Sequence, residues 1–340
     1  MFNTEDISSV RKALDMPKNV VIFSHRNPDG DAIGSSLALY NILKKKNHKV
    51  TVIFPSEFPD NFSWMPGSEK TLIYDIDPDE AVSEIKPAEI IFCLDFNSLE
   101  RIDKMAKSVE ESDAMKIMID HHQDPEPFMD IMFSDPTASS TCELVYGLLE
   151  ELDWLDLLDI DLANCLYTGI LTDTGSFRHA TTAKVFEIVA DLKRRGLEDY
   201  RVNDMIFNSM EVKNLRLLGH ALLNRMEIIP EYKAGIIHLT RQDYEDFNIE
   251  RGDTEGIVNY ILTLKGIQLA AFVTEQPKIV KISLRSKYDI NVQALARENF
   301  NGGGHINAAG GYTFVSLDKA LDRLRKVIPK YVGNAATIDR

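Results

Sequence analysis

The 340-residue sequence predicts an α/β protein: a doubly wound, mostly parallel sheet joined by a helical connector to a smaller α/β domain. Three observations carry this reading. Short apolar runs alternate with helix-periodic stretches through the first half of the chain. Three of those runs stop at acids or imidazoles: the stretch from His25 to Asp31, then Asp95, then Asp120-His121-His122. Ligands of open parallel sheets collect at that edge, beyond the carboxyl ends of the strands. Finally, a polar helical stretch is followed by new strands, two of them separated by the hairpin signal Glu275-Gln276-Pro277.

In chain order, residues 4–15 read as a helix with Thr4 or Asp6 as cap. Residues 18–24 form a buried strand that runs into His25-Arg26-Asn27-Pro28-Asp29-Gly30-Asp31. A helix over about 32–46 follows, ending in three lysines that suit its carbonyl end, and a strand over 49–54 completes a β-α-β unit. Residues 55–80, punctuated by Pro55, Pro59, Pro66, Gly67 and Pro78, read mainly as loop. Strands over 89–94 and 115–119 precede helices near 138–152, 160–172 and 182–195. Residues 198–228 are helical and polar. Strands at 233–239, 267–275 and 278–285 and a helix near 291–298 lead to Asn301-Gly302-Gly303-Gly304-His305. The expected domains are residues 1–190, a connector over 191–228, and residues 229–340.

Composition narrows the function. A 44% hydrophobic and 27% charged chain is of the globular kind, with no apolar run near the roughly 20 residues of a membrane span. The first residues lack a basic start and an apolar core, so no signal peptide is expected. Cys93, Cys142 and Cys165 sit in apolar patterns and read as reduced core thiols, consistent with a cytoplasmic location. A net charge of −15 argues against a basic surface for duplex nucleic acid and leaves short or mononucleotide substrates open.

The acids and histidines at strand ends suit a pair of divalent cations. Two-metal phosphoryl enzymes hold their ions roughly 3.5–4 Å apart with anionic oxygens, at least one of them shared. His25 and Asp29 suit one ion and Asp31 the second, with Asp95 bridging them, His121 completing the ligands of the second ion, and Asp173 adding a carboxylate where an apolar helix ends. Mixed imidazole and carboxylate donors favour Mn²⁺, with Mg²⁺ the second choice. Any one strand-end aspartate is usually a cap or turn former, and Asn27-Pro28 or Asp29-Gly30 alone would pass as turn chemistry. The conjunction at three strand ends decides for metal.

These segments, together with Thr172-Asp173-Thr174-Gly175, resemble the four motifs of the DHH phosphoesterase family. Gly302-Gly303-Gly304-His305 resembles the signature of its associated C-terminal domain. The resemblance is strongest to the stand-alone nanoRNase type, oligoribonucleases that also act as 3′-phosphoadenosine-5′-phosphate phosphatases. It implies one Mn²⁺ on His25, Asp29 and Asp95, and another on Asp31, Asp95, His121 and Asp173. It further implies a water acidified between the ions, His122 facing the phosphate as hydrogen-bond donor or general acid, and Asp120 orienting a histidine. In the second domain it implies substrate contacts from Arg285, Ser286, Gly303, Gly304 and His305, the last on a flexible glycine loop.

Short single-stranded RNA, linear dinucleotides and the nucleotide bisphosphate are the expected substrates. Cyclic dinucleotides, polyphosphate or pyrophosphate, and non-catalytic nucleotide binding are the alternatives. A homodimer is compatible with the chain but marked by no motif. Of the remaining histidines, His48, His220 and His238 have no acid nearby in sequence and read as surface or core residues, while His179 stays open between site and surface. Phe58, Phe62 and Trp64 read as packing.

Overall fold

The computed structural model describes residues 3–208, 210–250 and 252–332. The chain divides into two compact units, Met1–Ser209 and Met210–Arg340.

The first unit runs α1 (Thr4–Ala13), β1 (Asn19–Phe23), α2 (Gly30–Lys45), β2 (Lys49–Phe54), β3 (Leu72–Ile73), α3 (Pro78–Ile85) and β4 (Ile90–Leu94). It continues through α4 (Ala106–Glu110), β5 (Met115–Asp120), β6 (Ile131–Ser134), α5 (Thr141–Glu151), α6 (Ile160–Asp173), α7 (Ala183–Arg194) and α8 (Asp199–Phe207). Its six strands lie in the order β3-β2-β1-β4-β5-β6, and every pairing is parallel. The order reverses between β1 and β4, the switch point at which such sheets open a crevice. Helices cover both faces, which is why the strands read as continuous apolar runs. In β1, Val20 and Ile22 enter the core under α2, α5 and α6, while Val21 and Phe23 enter the opposite core under α3 and α4.

One contact does most to shape the site. Helices α2 and α6 approach through glycines, and a Cβ on Gly34 would lie 2.6 Å from the Cys165 carbonyl oxygen. A Cβ on Gly169 would lie 2.6 Å from Asp31 Oδ1. The start of α2 is thereby pressed against the end of α6, which carries Asp173.

The second unit comprises α9 (Val212–Asn224), β7 (Met226–Ile229), β8 (Ala234–Leu239), α10 (Arg241–Asp246), α11 (Ile257–Leu262), β9 (Leu269–Glu275) and β10 (Val280–Ser286). It ends with α12 (Val292–Asn299), β11 (Gly303–Gly304), β12 (Ala308–Thr313) and α13 (Leu317–Val332). The sheet order is β11-β12-β10-β9-β8-β7, antiparallel except for β8 with β9. The expected hairpin is present, with Glu275 opposite Val280.

Two expectations need correction. Residues 226–228 are strand, not helix: Met226 pairs with Ile237, and so short an apolar run has no period to choose between the two states. The helical stretch also divides, α8 belonging to the first unit and α9 to the second. Helix α13 was not foreseen, although Leu317, Ala320, Leu321, Leu324, Val327 and Ile328 bury one face of it. No helix among the described residues is long and apolar enough to cross a membrane.

Candidate metal centre

The turn after β1 is fixed before any ion is considered. The Ser24 hydroxyl donates to the Leu94 carbonyl at 2.8 Å, tying the ends of β1 and β4 together. The Arg26 amide donates to the Arg101 carbonyl at 2.8 Å. Asp29 caps α2, its Oδ1 accepting from the amides of Asp31 at 3.0 Å and Ala32 at 3.1 Å. Capping takes one oxygen only; Asp29 Oδ2 lies 4.0 Å from His25 Nε2. The cap and the ligand are therefore compatible roles for one carboxylate.

His25 Nδ1 lies 3.0 Å from the Arg26 carbonyl, which can only accept, so Nδ1 carries a proton and Nε2 is the nitrogen that can ligate a cation. That Nε2 is 3.4 Å from Asp95 Oδ2. Asp95 follows β4 in the left-handed region, with φ of 63°, a conformation costing a non-glycine residue about 1–3 kcal/mol. Its amide donates to the Ile119 carbonyl at 3.1 Å and its Oδ1 accepts from the Thr141 hydroxyl at 3.0 Å. The strain is held by neighbours on two elements.

Asp31 is 1% exposed and faces the start of α5. Its two oxygens accept from the Thr141 amide at 2.6 Å and the Cys142 amide at 2.9 Å, donors that a helix leaves unpaired in its first turn. His121 Nε2 lies 3.2 Å from Asp173 Oδ2, 3.6 Å from Asp95 Oδ1 and 3.9 Å from Asp31 Oδ2. Three overlapping donor groups result: His25 with Asp29 and Asp95, Asp31 with His121 and Asp173, and Asp95 with His121 and His122. Within each group the donor atoms lie within 4.8 Å of one another.

The electrostatics are those of acids crowded together without enough positive charge. Burial, then Asp95, Asp173 and Asp29, push the Asp31 carboxyl well above the carboxylate range. Burial, with Asp95 and Asp29, pushes Asp173 up to about 7 against the pull of His121. Burial acts the same way on Asp95, yet the hydrogen bond and charge of His25, with His121 and His122, hold it below the ordinary range. His25 and His121 are raised despite burial, the first chiefly by Asp95, the second by Asp95 and Asp173. Four carboxylates and two imidazoles whose Nε2 atoms face them fit hard or borderline divalent cations, which would take the place of the protons held there. Cys142, the nearest thiol, keeps its proton because burial and Asp31 raise it.

Asp120 is fully buried and engages His122 twice: Oδ1 lies 2.7 Å from His122 Nδ1, and Oδ2 accepts the His122 amide at 3.1 Å. His122 Nδ1 is 3.7 Å from Asp95 Oδ1.

In the second unit, Arg285 lies near the end of β10, half-buried, bonded to the Leu284 carbonyl at 3.0 Å and without an ion pair among the described residues. Burial lowers its pKa. The Ser286 hydroxyl donates to the Ile290 carbonyl at 2.6 Å and accepts from Asn307 Nδ2 at 2.9 Å. Gly303 and Gly304 are a short strand paired with Gly310 and Ala309, which corrects the expected flexible loop. Gly304 has φ of 131°, and a Cβ there would lie 2.6 Å from the Ala308 carbonyl oxygen, so glycine permits the pairing. His305 is exposed at the following tight turn, its amide donating to Ala308 O at 2.7 Å.

The backbone amides of Thr141 and Cys142, the Thr141 hydroxyl and Gly169 were missed from sequence; the only local sign of the first three is a Ser140 cap beginning α5. His220 needs correction: its Nε2 lies 2.9 Å from the buried Asp243, which also pairs with Arg225 at 2.8 Å. His179 is exposed, its ring against Gly175. Phe62 is buried, and Phe58 and Trp64 pack against the same core.

Comparison with known proteins agrees with this geometry. The profile of the DHH family, N-terminal domain, matches residues 19–170, and that of the DHHA1 domain matches residues 234–334. The chain belongs to the DHH family. A bifunctional oligoribonuclease and PAP phosphatase NrnA of Thermus thermophilus is 29% identical, over 97% of this chain and 94% of that protein. The cyclic-di-AMP phosphodiesterase GdpP of Bacillus subtilis is 26% identical over 95% of this chain, which spans only 49% of GdpP. The crystal structure of an exopolyphosphatase-related protein from Bacteroides fragilis superposes with a TM-score of 0.95 at 39% identity, covering 97% of both chains.

Proposed function

We propose that this DHH protein is a Mn²⁺-dependent phosphoesterase. It hydrolyses short oligoribonucleotides or linear dinucleotides to 5′-mononucleotides and converts 3′-phosphoadenosine-5′-phosphate to AMP. The observation that carries the reading is the pair of donor groups flanking Asp95: His25 with Asp29, and Asp31 with His121 and Asp173. The near-full-length likeness to an oligoribonuclease and PAP phosphatase supports the substrate class.

In this reading His25, Asp29 and Asp95 hold one ion, and Asp31, Asp95, His121 and Asp173 the other. Bound there, divalent cations supply an acidified water and neutralise charge developing on the phosphoryl oxygens. The protein's own part is positioning. The amides of Thr141 and Cys142 fix the Asp31 carboxylate, and the turn at Asp95 aims one oxygen at each histidine. Asp120 takes the Nδ1 side of His122, so an imidazolium there offers Nε2–H to a phosphate or leaving oxygen. In the second unit, Arg285, a half-buried cation in no close ion pair among the described residues, with the charge of Glu255 acting on it, suits a terminal phosphate. His305 and the Gly303–Gly304 strand edge supply further contacts, and Ser286 supports the turn beside them.

Incubation with Mn²⁺ and 5′-phosphorylated diadenylate, followed by chromatography, tests this reading. AMP is the expected product, and the 3′,5′-bisphosphate should release phosphate. No product from either would remove the proposal. The exopolyphosphatase-related relative supports a second reading, in which inorganic polyphosphate is the substrate. Polyphosphate and cyclic-di-AMP in the same panel would separate the three.

A further inference from the structure

The second unit carries an aromatic residue in a setting that packing does not explain. Tyr288 is 73% exposed, and among the described residues its ring meets no other ring and its hydroxyl has no hydrogen-bond partner. By contrast, the exposed Tyr312 and Phe314 rings meet each other edge-on at 5.6 Å. A lone exposed tyrosine is ordinary. Its backbone is not: φ is 59°, the left-handed region that a bulky residue enters only when its surroundings impose it.

The surroundings are a clasp made by Asn307. Its side-chain Nδ2 donates to the Tyr288 carbonyl at 2.8 Å and to Ser286 Oγ at 2.9 Å. Its own carbonyl accepts the Ser286 amide at 3.0 Å. The next bond along, from the Val292 amide to the Ile306 carbonyl, is 2.8 Å. The turn after β10 and the turn after β11 are thus fastened into one rigid piece. That piece carries an exposed tyrosine ring, Ile306 at 46% exposure, the imidazole of His305, and at its root the half-buried Arg285, which makes no close ion pair among the described residues.

We propose that Tyr288, with Ile306 on the adjoining turn, is a seat for the nucleobase of a nucleotide whose phosphate is held by Arg285. This rests on the reading of the second unit as the nucleotide-holding part, and it names the part of the ligand that the phosphate contacts leave unrecognised. An aromatic ring, an aliphatic side chain and a half-buried guanidinium complement a base and a phosphate; an inorganic polyphosphate would leave the ring and the isoleucine unused. Every base has a face to stack, so the seat is tolerant of base identity and requires only that a base be present.

Titration calorimetry on the full chain, with AMP and with ribose 5-phosphate, reads this directly. AMP should bind the wild type about tenfold or more tightly than ribose 5-phosphate. Tyr288→Ala should erase that advantage, leave ribose 5-phosphate binding as it was, and keep the thermal unfolding midpoint; Tyr288→Trp should restore the advantage. An AMP advantage that survives Tyr288→Ala, or an equal loss for both ligands, overturns the seat, as does a wild type that does not distinguish the two. The two proposals fail separately. A Tyr288-dependent AMP advantage in a chain that cleaves no dinucleotide removes the phosphoesterase reading alone. Dinucleotide cleavage whose KM is unchanged in Tyr288→Ala removes the seat alone.

Discussion

Removing divalent metal should make the first unit less stable as pH rises from 5 to 8, the reverse of what paired carboxylates usually do. Asp173 has an ordinary value of 3.8 and is pushed up to about 7 in the folded chain. Between those values the folded state keeps a proton that the unfolded chain has released, so stability is lost as pH rises through the folded value. Each pH unit is worth about 1.4 kcal/mol, and the interval from 5 to 7 therefore about 3 kcal/mol. For a unit of this size, Met1–Ser209, that is a fall in Tm of about 6–12 °C. His25 and His121, also raised, add to the loss above their ordinary value of 6.5. Asp95 is depressed, so its contribution is already complete at pH 5 and is lost only in stronger acid. Thermal unfolding followed by circular dichroism in EDTA, at half-unit steps of pH, measures the slope. Mn²⁺ must displace these protons, so the Tm it adds should grow with pH, reaching about 2.7 kcal/mol of stabilisation at a hundredfold excess over Kd. Asp31 is raised as well and keeps its own share of the slope, so Asp173→Asn should lower the metal-free slope by about 1.4 kcal/mol per pH unit without abolishing it. A metal-free Tm that is level or rises from pH 5 to 7 would refute the account of a charge-crowded site.

Other consequences are more local. Gly169→Ala puts a methyl 2.6 Å from Asp31 Oδ1 and should lower activity at least about 100-fold while costing about 1–3 kcal/mol in denaturant melts; normal activity would mean the helix contact does not set Asp31. Asp120→Asn should keep Mn²⁺ binding but lower kcat about 10–100-fold, because the charge is lost and one amide oxygen cannot accept from both the ring and the main-chain amide of His122; an unchanged kcat would show that Asp120 does not tune His122. Arg285→Ala should raise KM for 5′-phosphorylated dinucleotides about tenfold or more, and an unchanged KM would show that the guanidinium meets no phosphate.

The acids and histidines from His25 to Asp31, at Asp95 and at 120–122 were legible because they follow apolar runs that alternate with helical stretches, and parallel strands deliver their ends to one edge; Asp173 instead ends an apolar helix. What orients them was not. Thr141 and Cys142 act on Asp31 through backbone amides, which carry no residue signature, from 110 and 111 positions away. Gly169 acts by having no side chain, which becomes visible only once the Asp31 oxygen lies beside it. In the second unit, Gly303–Gly304 offers no alternation to mark a strand, and its pairing with β12 depends on glycines on both sides. The His220–Asp243 pair spans 23 residues and joins α9 to α10, beyond the reach of a local pattern. Helix α13 was readable from its period, apolar at 317, 320, 321, 324, 327 and 328; Pro329 lies near the end of that helix.

The central claim is that Asp95 belongs to two cation seats at once, within 3.4 Å of His25 on one side and 3.6 Å of His121 on the other. Equilibrium dialysis of Mn²⁺ against the metal-free chain, with bound manganese counted by electron paramagnetic resonance after acid release, tests it most directly. Two ions per chain in the wild type and a loss of tight binding at both seats in Asp95→Ala are predicted. An Asp95→Ala chain that still binds two ions with wild-type affinity would contradict it.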